Sequence, residues 1–139
     1  MDRNVLPTVV TVGVREAQAS LGRVWTELAD GCAVHVVDKR TGRHRGWLVR
    51  DLEDGYQPRR VGCENAARRF GGYLAAVRDG DVFECYDHHA SQVRGYIQWC
   101  APDAIARLDT AIRFAGRRTR GGRVPVRTIR PTEVMARSL

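Results

Sequence analysis

Val12–Arg50 reads VGVREAQASLGRVWTELADGCAVHVVDKRTGRHRGWLVR, and a forward shift of 49 residues lays it without a gap on Val61–Trp99, VGCENAARRFGGYLAAVRDGDVFECYDHHASQVRGYIQW. Nine of the 39 aligned pairs are identical: Val12/Val61, Gly13/Gly62, Ala17/Ala66, Gly22/Gly71, Asp30/Asp79, Gly31/Gly80, Asp38/Asp87, Arg45/Arg94 and Gly46/Gly95. Chance would give roughly three in a chain this rich in Arg, Gly and Ala. Other pairs change identity and keep character, as Leu21/Phe70, Val34/Phe83, Trp47/Tyr96 and Leu48/Ile97 do. Apolar positions match apolar positions through a whole supersecondary unit, which is the mark of an internal duplication.

Hydrophobic periodicity assigns elements to the repeat. Leu6–Val12 is β-branched and ends at Gly13, which predicts a strand and a turn. Ala17, Leu21, Val24, Trp25 and Leu28 then recur on one face of a helical segment. Gly22 in its middle costs about 1 kcal/mol as helix interior and predicts a break into two short helices there. Gly31 predicts a left-handed helix end. Ala33–Val37 and Gly46–Val49, joined by DKRTGRHR, predict a β-hairpin with a basic tip. The unit is β-α-α-β-β. Arg50–Arg60 is a polar linker, and the second unit repeats the order with helix residues Ala66, Phe70, Tyr73, Leu74 and Val77 and a hairpin of Val82–Tyr86 and Gln92–Trp99. The expected organisation is a first unit at 1–55, a second at 56–100, and a C-terminal helix and Arg-rich tail at 101–139.

Composition narrows the function classes. A unit near 45 residues is marginal alone, so two of them would share one core. No run of 18 apolar residues spans a membrane, and MDRNVLPTVV lacks the basic start and long apolar core of a secretory signal, so a cytoplasmic protein is expected. Cys32, Cys63, Cys85 and Cys100 show no CxxC spacing; Cys63 and Cys85 align with Val14 and Val36 and read as small buried apolar residues. A zinc cluster of Cys63, Cys85, His88, His89 and Cys100 is the weaker reading, and neither metal nor cofactor is expected. Without a Gly-rich phosphate loop, an HExxH or an activated Ser or Cys elbow, an enzyme is not expected.

The net charge is +7, and its placement is uneven: residues 1–100 carry 14 basic and 13 acidic side chains, whereas 101–139 carry nine basic and three acidic. Excess positive charge attracts polyanions, nucleic acid first among them. Lys39 is the single lysine against 22 arginines, a bias that weakens arginine count as a functional signal. Pro102 opens a helix with an apolar stripe of Ile105, Leu108, Ile112 and Ala115, and Arg117–Arg130 holds six arginines and no acid. Such a run is either a solvated tail or a phosphate-binding one, through Arg117, Arg118 and Arg120.

VTVGVREAQASLGRVWTELADGCAVHVVDKR resembles the DNA-binding domain of the Phd/YefM antitoxin family. Val14 to Leu21, then Asp30-Gly31, then Val34, Val36 and the basic Lys39-Arg40 fall on that family's motif in order. The resemblance covers nearly the whole first unit and is weaker in the second. It implies an α+β fold in which two β-α-α-β-β units pair about a two-fold axis, here as a pseudo-dimer within one chain sharing an antiparallel sheet. It also implies double-stranded DNA as partner and a repressor-like transcription regulator. The DNA-facing positions that carry over are Arg15, Gln18, Ser20 and Arg23 in the first unit and Asn65, Arg68 and Arg69 in the second, with Lys39 and Arg40 on the backbone. Arg suits guanine, Gln and Asn suit adenine, and Ser or Lys donates to phosphate. Where the family's motif has arginine, this chain has Gln18 and Ala67, and His88 and His89 replace the basic tip in the second unit. The alternative implied by the resemblance is a toxin–antitoxin antitoxin that neutralises a protein toxin through 101–116 and regulates its own operon. A scaffold protein that no longer binds DNA is the third reading. A single-chain pseudo-dimer is expected to be monomeric in solution.

Overall fold

The computed structural model describes residues 8–106. Thr8–Gly13 forms β1, Val14–Ala19 α1, Leu21–Ala29 α2, Cys32–Val37 β2 and His44–Val49 β3. The order repeats as β4 (Arg59–Gly62), α3 (Cys63–Arg68), α4 (Phe70–Arg78), β5 (Phe83–Asp87) and β6 (Gln92–Gln98). The 49-residue shift carries α1 onto α3 and α2 onto α4 residue for residue. The helical break falls at Ser20 and Arg69, not at Gly22 as helix propensity predicts. Gly22 and Gly71 lie instead in the exposed first turn of the second helix, where a flexible residue is tolerated. Gly31 and Gly80, at φ +97° and +111°, end α2 and α4 in the left-handed conformation that only glycine adopts cheaply.

All six strands form one sheet in the order β1-β2-β3-β6-β5-β4. β1 runs parallel to β2, and β4 to β5, because a two-helix crossover returns the chain in its original direction. The hairpins β2–β3 and β5–β6 and the central pair β3–β6 are antiparallel. The fold is therefore α+β with a mixed sheet, where an antiparallel one is expected from the motif. The bulge between Val36 and Val37 recurs between Cys85 and Tyr86, at equivalent positions.

The central pair sets Leu48 opposite Ile97, Trp47 opposite Gln98 and Val49 opposite Tyr96. In the repeat alignment Leu48 is the counterpart of Ile97, Trp47 of Tyr96 and Val49 of Gln98. The pairing is thus reciprocal, as a contact between two like surfaces must be.

One face of the sheet carries the helices. Leu21, Val24, Trp25 and Leu28 from α2 and Phe70, Leu74 and Val77 from α4 are buried over Val34, Val36, Leu48, Phe83, Cys85 and Ile97. Each helix reaches across the seam. A Cβ on Gly95 would stand 2.6 Å from Leu28 Cδ1 and 3.0 Å from Trp25 Cζ3, and one on Gly46 would stand 3.1 Å from Leu74 Cδ2. Helix of one unit rests on strand of the other, and the two units share one core on this face of the sheet. Cys85 is fully buried in it and Cys63 packs at its edge; burial pushes the Cys63 thiol up to about 11 and the Cys85 thiol higher still.

The opposite face is apolar in its first half. Val9, Ala33, Trp47 and Val49 are covered by Ile105, which is buried and belongs to a helical turn at 103–106. Beside them His35 stacks on Trp47, its Nε2 lies 2.9 Å from His44 Nδ1, and His44 Nε2 lies 2.7 Å from the Trp99 carbonyl. A carbonyl only accepts, so His44 carries its proton on Nε2 and accepts from His35 on Nδ1. Burial holds His44 below its ordinary pKa, against the opposing pull of the Trp99 carbonyl.

Candidate nucleic-acid interface

The exposed side of the helical layer is built from α1, α3 and the corners that follow them. α1 begins where Gly13 donates its amide to the Glu16 carboxylate at 3.2 Å, one arm of a capping box. Glu16 also holds Lys39 Nζ at 3.2 Å. The Gly13 amide first, then Lys39, keep the Glu16 carboxyl below its usual range. The pair is solvent-exposed and contributes little to stability. It does leave Lys39 partly neutralised. In the second unit Glu64 takes the equivalent of Arg15 and faces His89 at 3.4 Å, so that tip too is tied to a carboxylate.

Gln18 is engaged within the fold. Its Nε2 donates to the Ala67 carbonyl at 2.8 Å and lies 3.4 Å from that of Arg68. Both carbonyls belong to the last turn of α3, where no intrahelical donor remains. The amide therefore caps α3 and joins the two units. Its counterpart Ala67 cannot reciprocate. Asn65 is also engaged, donating to the Tyr73 hydroxyl at 2.8 Å.

The remaining positions stand free. Arg15 on α1, Arg23 on α2, Arg40 in the β2–β3 turn, and Arg68 and Arg69 at the end of α3 are exposed, and their guanidiniums make no ion pair among the described residues. Ser20 is exposed at the α1–α2 corner, the counterpart of Arg69. The Gln18 hydrogen bonds draw the last turns of α1 and α3 together, which brings Ser20, Arg68 and Arg69, at the ends of those helices, to one seam. The surface can donate to phosphates and base edges. Among the described residues no group of three His, Cys, Asp or Glu side chains could hold a metal ion, and no helix is long and apolar enough to cross a membrane.

Arg117, Arg118 and Arg120 lie outside the described residues, as does most of the stretch expected to form a helix over 101–116. Its first turn packs Ile105 on the sheet, so that stretch takes part in the core. Two arginines that the linker assignment overlooks, Arg59 and Arg60, stand on β4 beside α4. They replace Val10 and Thr11 of the first unit, a signal that appears once the repeat is extended a few residues toward the N-terminus. No family model, curated protein or solved structure matches this chain.

Proposed function

We propose that this chain is a sequence-specific DNA-binding transcriptional regulator, built as a single-chain pseudo-dimer of the Phd/YefM type. The observation that carries the reading is the reciprocal β3–β6 pairing with α1 and α3 brought together at its axis, the arrangement by which a symmetric dimer presents two like surfaces to one duplex. The exposed arginines that make no ion pair among the described residues support a polyanionic ligand. Arg15 and Arg23 serve one half-site and Arg68 and Arg69 the other, with Ser20 and Arg40 as further donors. Gln18 acts as the bracket between units rather than as a base reader.

Two six-residue helices, each about 9 Å long at ~1.5 Å per residue, cover at most about 18 Å between them. That is roughly five base pairs at ~3.4 Å per step. The core read by α1 and α3 is therefore compact, and Arg23 and Arg40, on other elements, contact its flanks. Because the reading residues differ between units, the preferred site is an asymmetric or imperfect repeat. Binding selection on random duplexes tests this. A compact, asymmetric consensus is expected; a perfect palindrome, half-sites a turn apart or the absence of any selected sequence would overturn it.

A further inference from the structure

At the outer edge of the second unit, β4 and α4 enclose a groove of about 450 Å³. Its lining includes Arg59 and Arg60 from the strand and Arg69 from the corner before α4, with Tyr73 and Phe83 as the apolar wall. The one carboxylate in the lining, Asp81, reaches Arg59 only at 3.9 Å between exposed groups. Arg60 is more firmly held, at 2.6 Å from Glu84 and 4.3 Å over the Tyr86 ring. Arg59 and Arg69 thus remain available.

The repeat supplies a built-in comparison. The first unit has Val10, Thr11 and Ser20 where the second has Arg59, Arg60 and Arg69. Both units fold to the same elements, so the fold does not require arginine at any of the three. Arg59 and Arg69, from two separate stretches, nevertheless line one groove against a single carboxylate, while the Arg60 side chain turns to the other face of the sheet, onto Glu84 and Tyr86.

We infer that this groove is a phosphate-binding site, present in the second unit and absent from the first. Guanidinium forks match phosphate oxygens in geometry as well as charge. The volume falls within the range of small-ligand sites, roughly 300–1,000 Å³, and leaves room for an organic body against Tyr73. The phosphate comes from one of two sources: a free phosphomonoester, or the backbone of a duplex running past Arg69 from the α1–α3 seam. The duplex source rests on the DNA-binding reading; the free source does not.

The test uses the full chain and its Arg59→Gln variant, which removes an exposed edge-strand cation and leaves the core untouched. Inorganic phosphate and then adenosine monophosphate are titrated while backbone amide NMR resonances are followed. A free-ligand site shifts the amides of 59–61, 69–73 and 83, leaves their counterparts 10–12, 20–24 and 34 in place, and binds several-fold more weakly in Arg59→Gln. In a second arm, affinity for duplex DNA is measured against salt. If Arg59 neutralises a backbone phosphate, Arg59→Gln makes the log–log slope shallower by about 0.9. Shifts without a slope change assign the free phosphomonoester, and a slope change without shifts assigns the duplex. If neither occurs, the phosphate site is overturned. Should wild type bind duplex in that case, the DNA reading survives without it; should wild type bind no duplex while the amides shift, the groove stands and the DNA reading falls.

Discussion

Gly46 and Gly95 are identical in the two units because a helix of the opposite unit lies directly on them. A Cβ on Gly95 would meet Leu28 Cδ1 at 2.6 Å, and the Val49 carbonyl oxygen at 2.9 Å, which cannot step aside as a side chain can. Gly95→Ala should destabilise by about 1–3 kcal/mol, the usual cost of overpacking. Gly22 is equally invariant between units, yet a Cβ there meets nothing within 4 Å. Gly22→Ala should be neutral or stabilise by up to about 1 kcal/mol. Urea unfolding of the two variants checks the contrast, and equal midpoints would contradict the packing account. His44 makes a second prediction. Its folded pKa lies below the ordinary value of 6.5. The unfolded chain therefore binds the proton first, so the contribution is fully present above pH 6.5 and is lost as pH falls through that value toward the folded pKa. The urea midpoint should drop between pH 7 and 5, and His44→Gln should flatten that drop. Nothing at residue scale in the sequence distinguishes Gly22 from Gly95: both are glycines in a repeat, and only the neighbour differs.

At the scale of elements, α1 and α3 are the same helix in sequence register and serve different ends. Gln18 closes the last turn of α3 through the Ala67 and Arg68 carbonyls, whereas Ala67 closes nothing. Gln18→Ala should cost about 0.5–1.5 kcal/mol of stability, the ordinary net value of such a hydrogen bond. On the proposed function it should leave base preference unaltered. Arg15→Ala and Arg68→Ala, both at exposed positions, should do the reverse, each relaxing selectivity on one side of the operator with stability nearly unchanged. Selection on random duplexes together with unfolding separates the two classes. Relaxed specificity in Gln18→Ala would return that residue to base reading. Element type was largely legible from periodicity, since Leu21, Val24, Trp25 and Leu28 are all buried on α2 as their spacing requires. The break point was not. It is set by the turn at Ser20 and Arg69, both near φ −120°, which lets the second helix swing over the sheet.

For the whole molecule, the consequence of helices crossing the seam is that neither unit is complete. A fragment of residues 1–55 would lack α4 over Gly46 and β6 beside β3. It should be unfolded when dilute, or associate through its own β3 edge as concentration rises, with helical circular dichroism growing in step. A fragment that folds as a monomer would refute the shared core. The intact chain should sediment as a monomer of 15.6 kDa without DNA. A tight dimer would remove the single-chain account of its symmetry.

What the sequence determined by itself is the duplication, the β-α-α-β-β order and the faces each element buries. Those properties are local: period, β-branching and glycine at helix ends act within a few residues, and they repeat at a shift of 49. Tertiary structure alone decided how the units join. The parallel placement of β1 on β2 follows from a crossover, the seam from strands 49 residues apart, and the cover of Ile105 on the far face from the chain's return after β6. It also decided which polar side chains remain free. Gln18 and Asn65 look like readers in one dimension; each is engaged only because folding brings an acceptor within 2.8 Å. Arg59 and Arg69 come to line one groove by the same means, since charge convergence is a property of space and sequence spacing does not encode it.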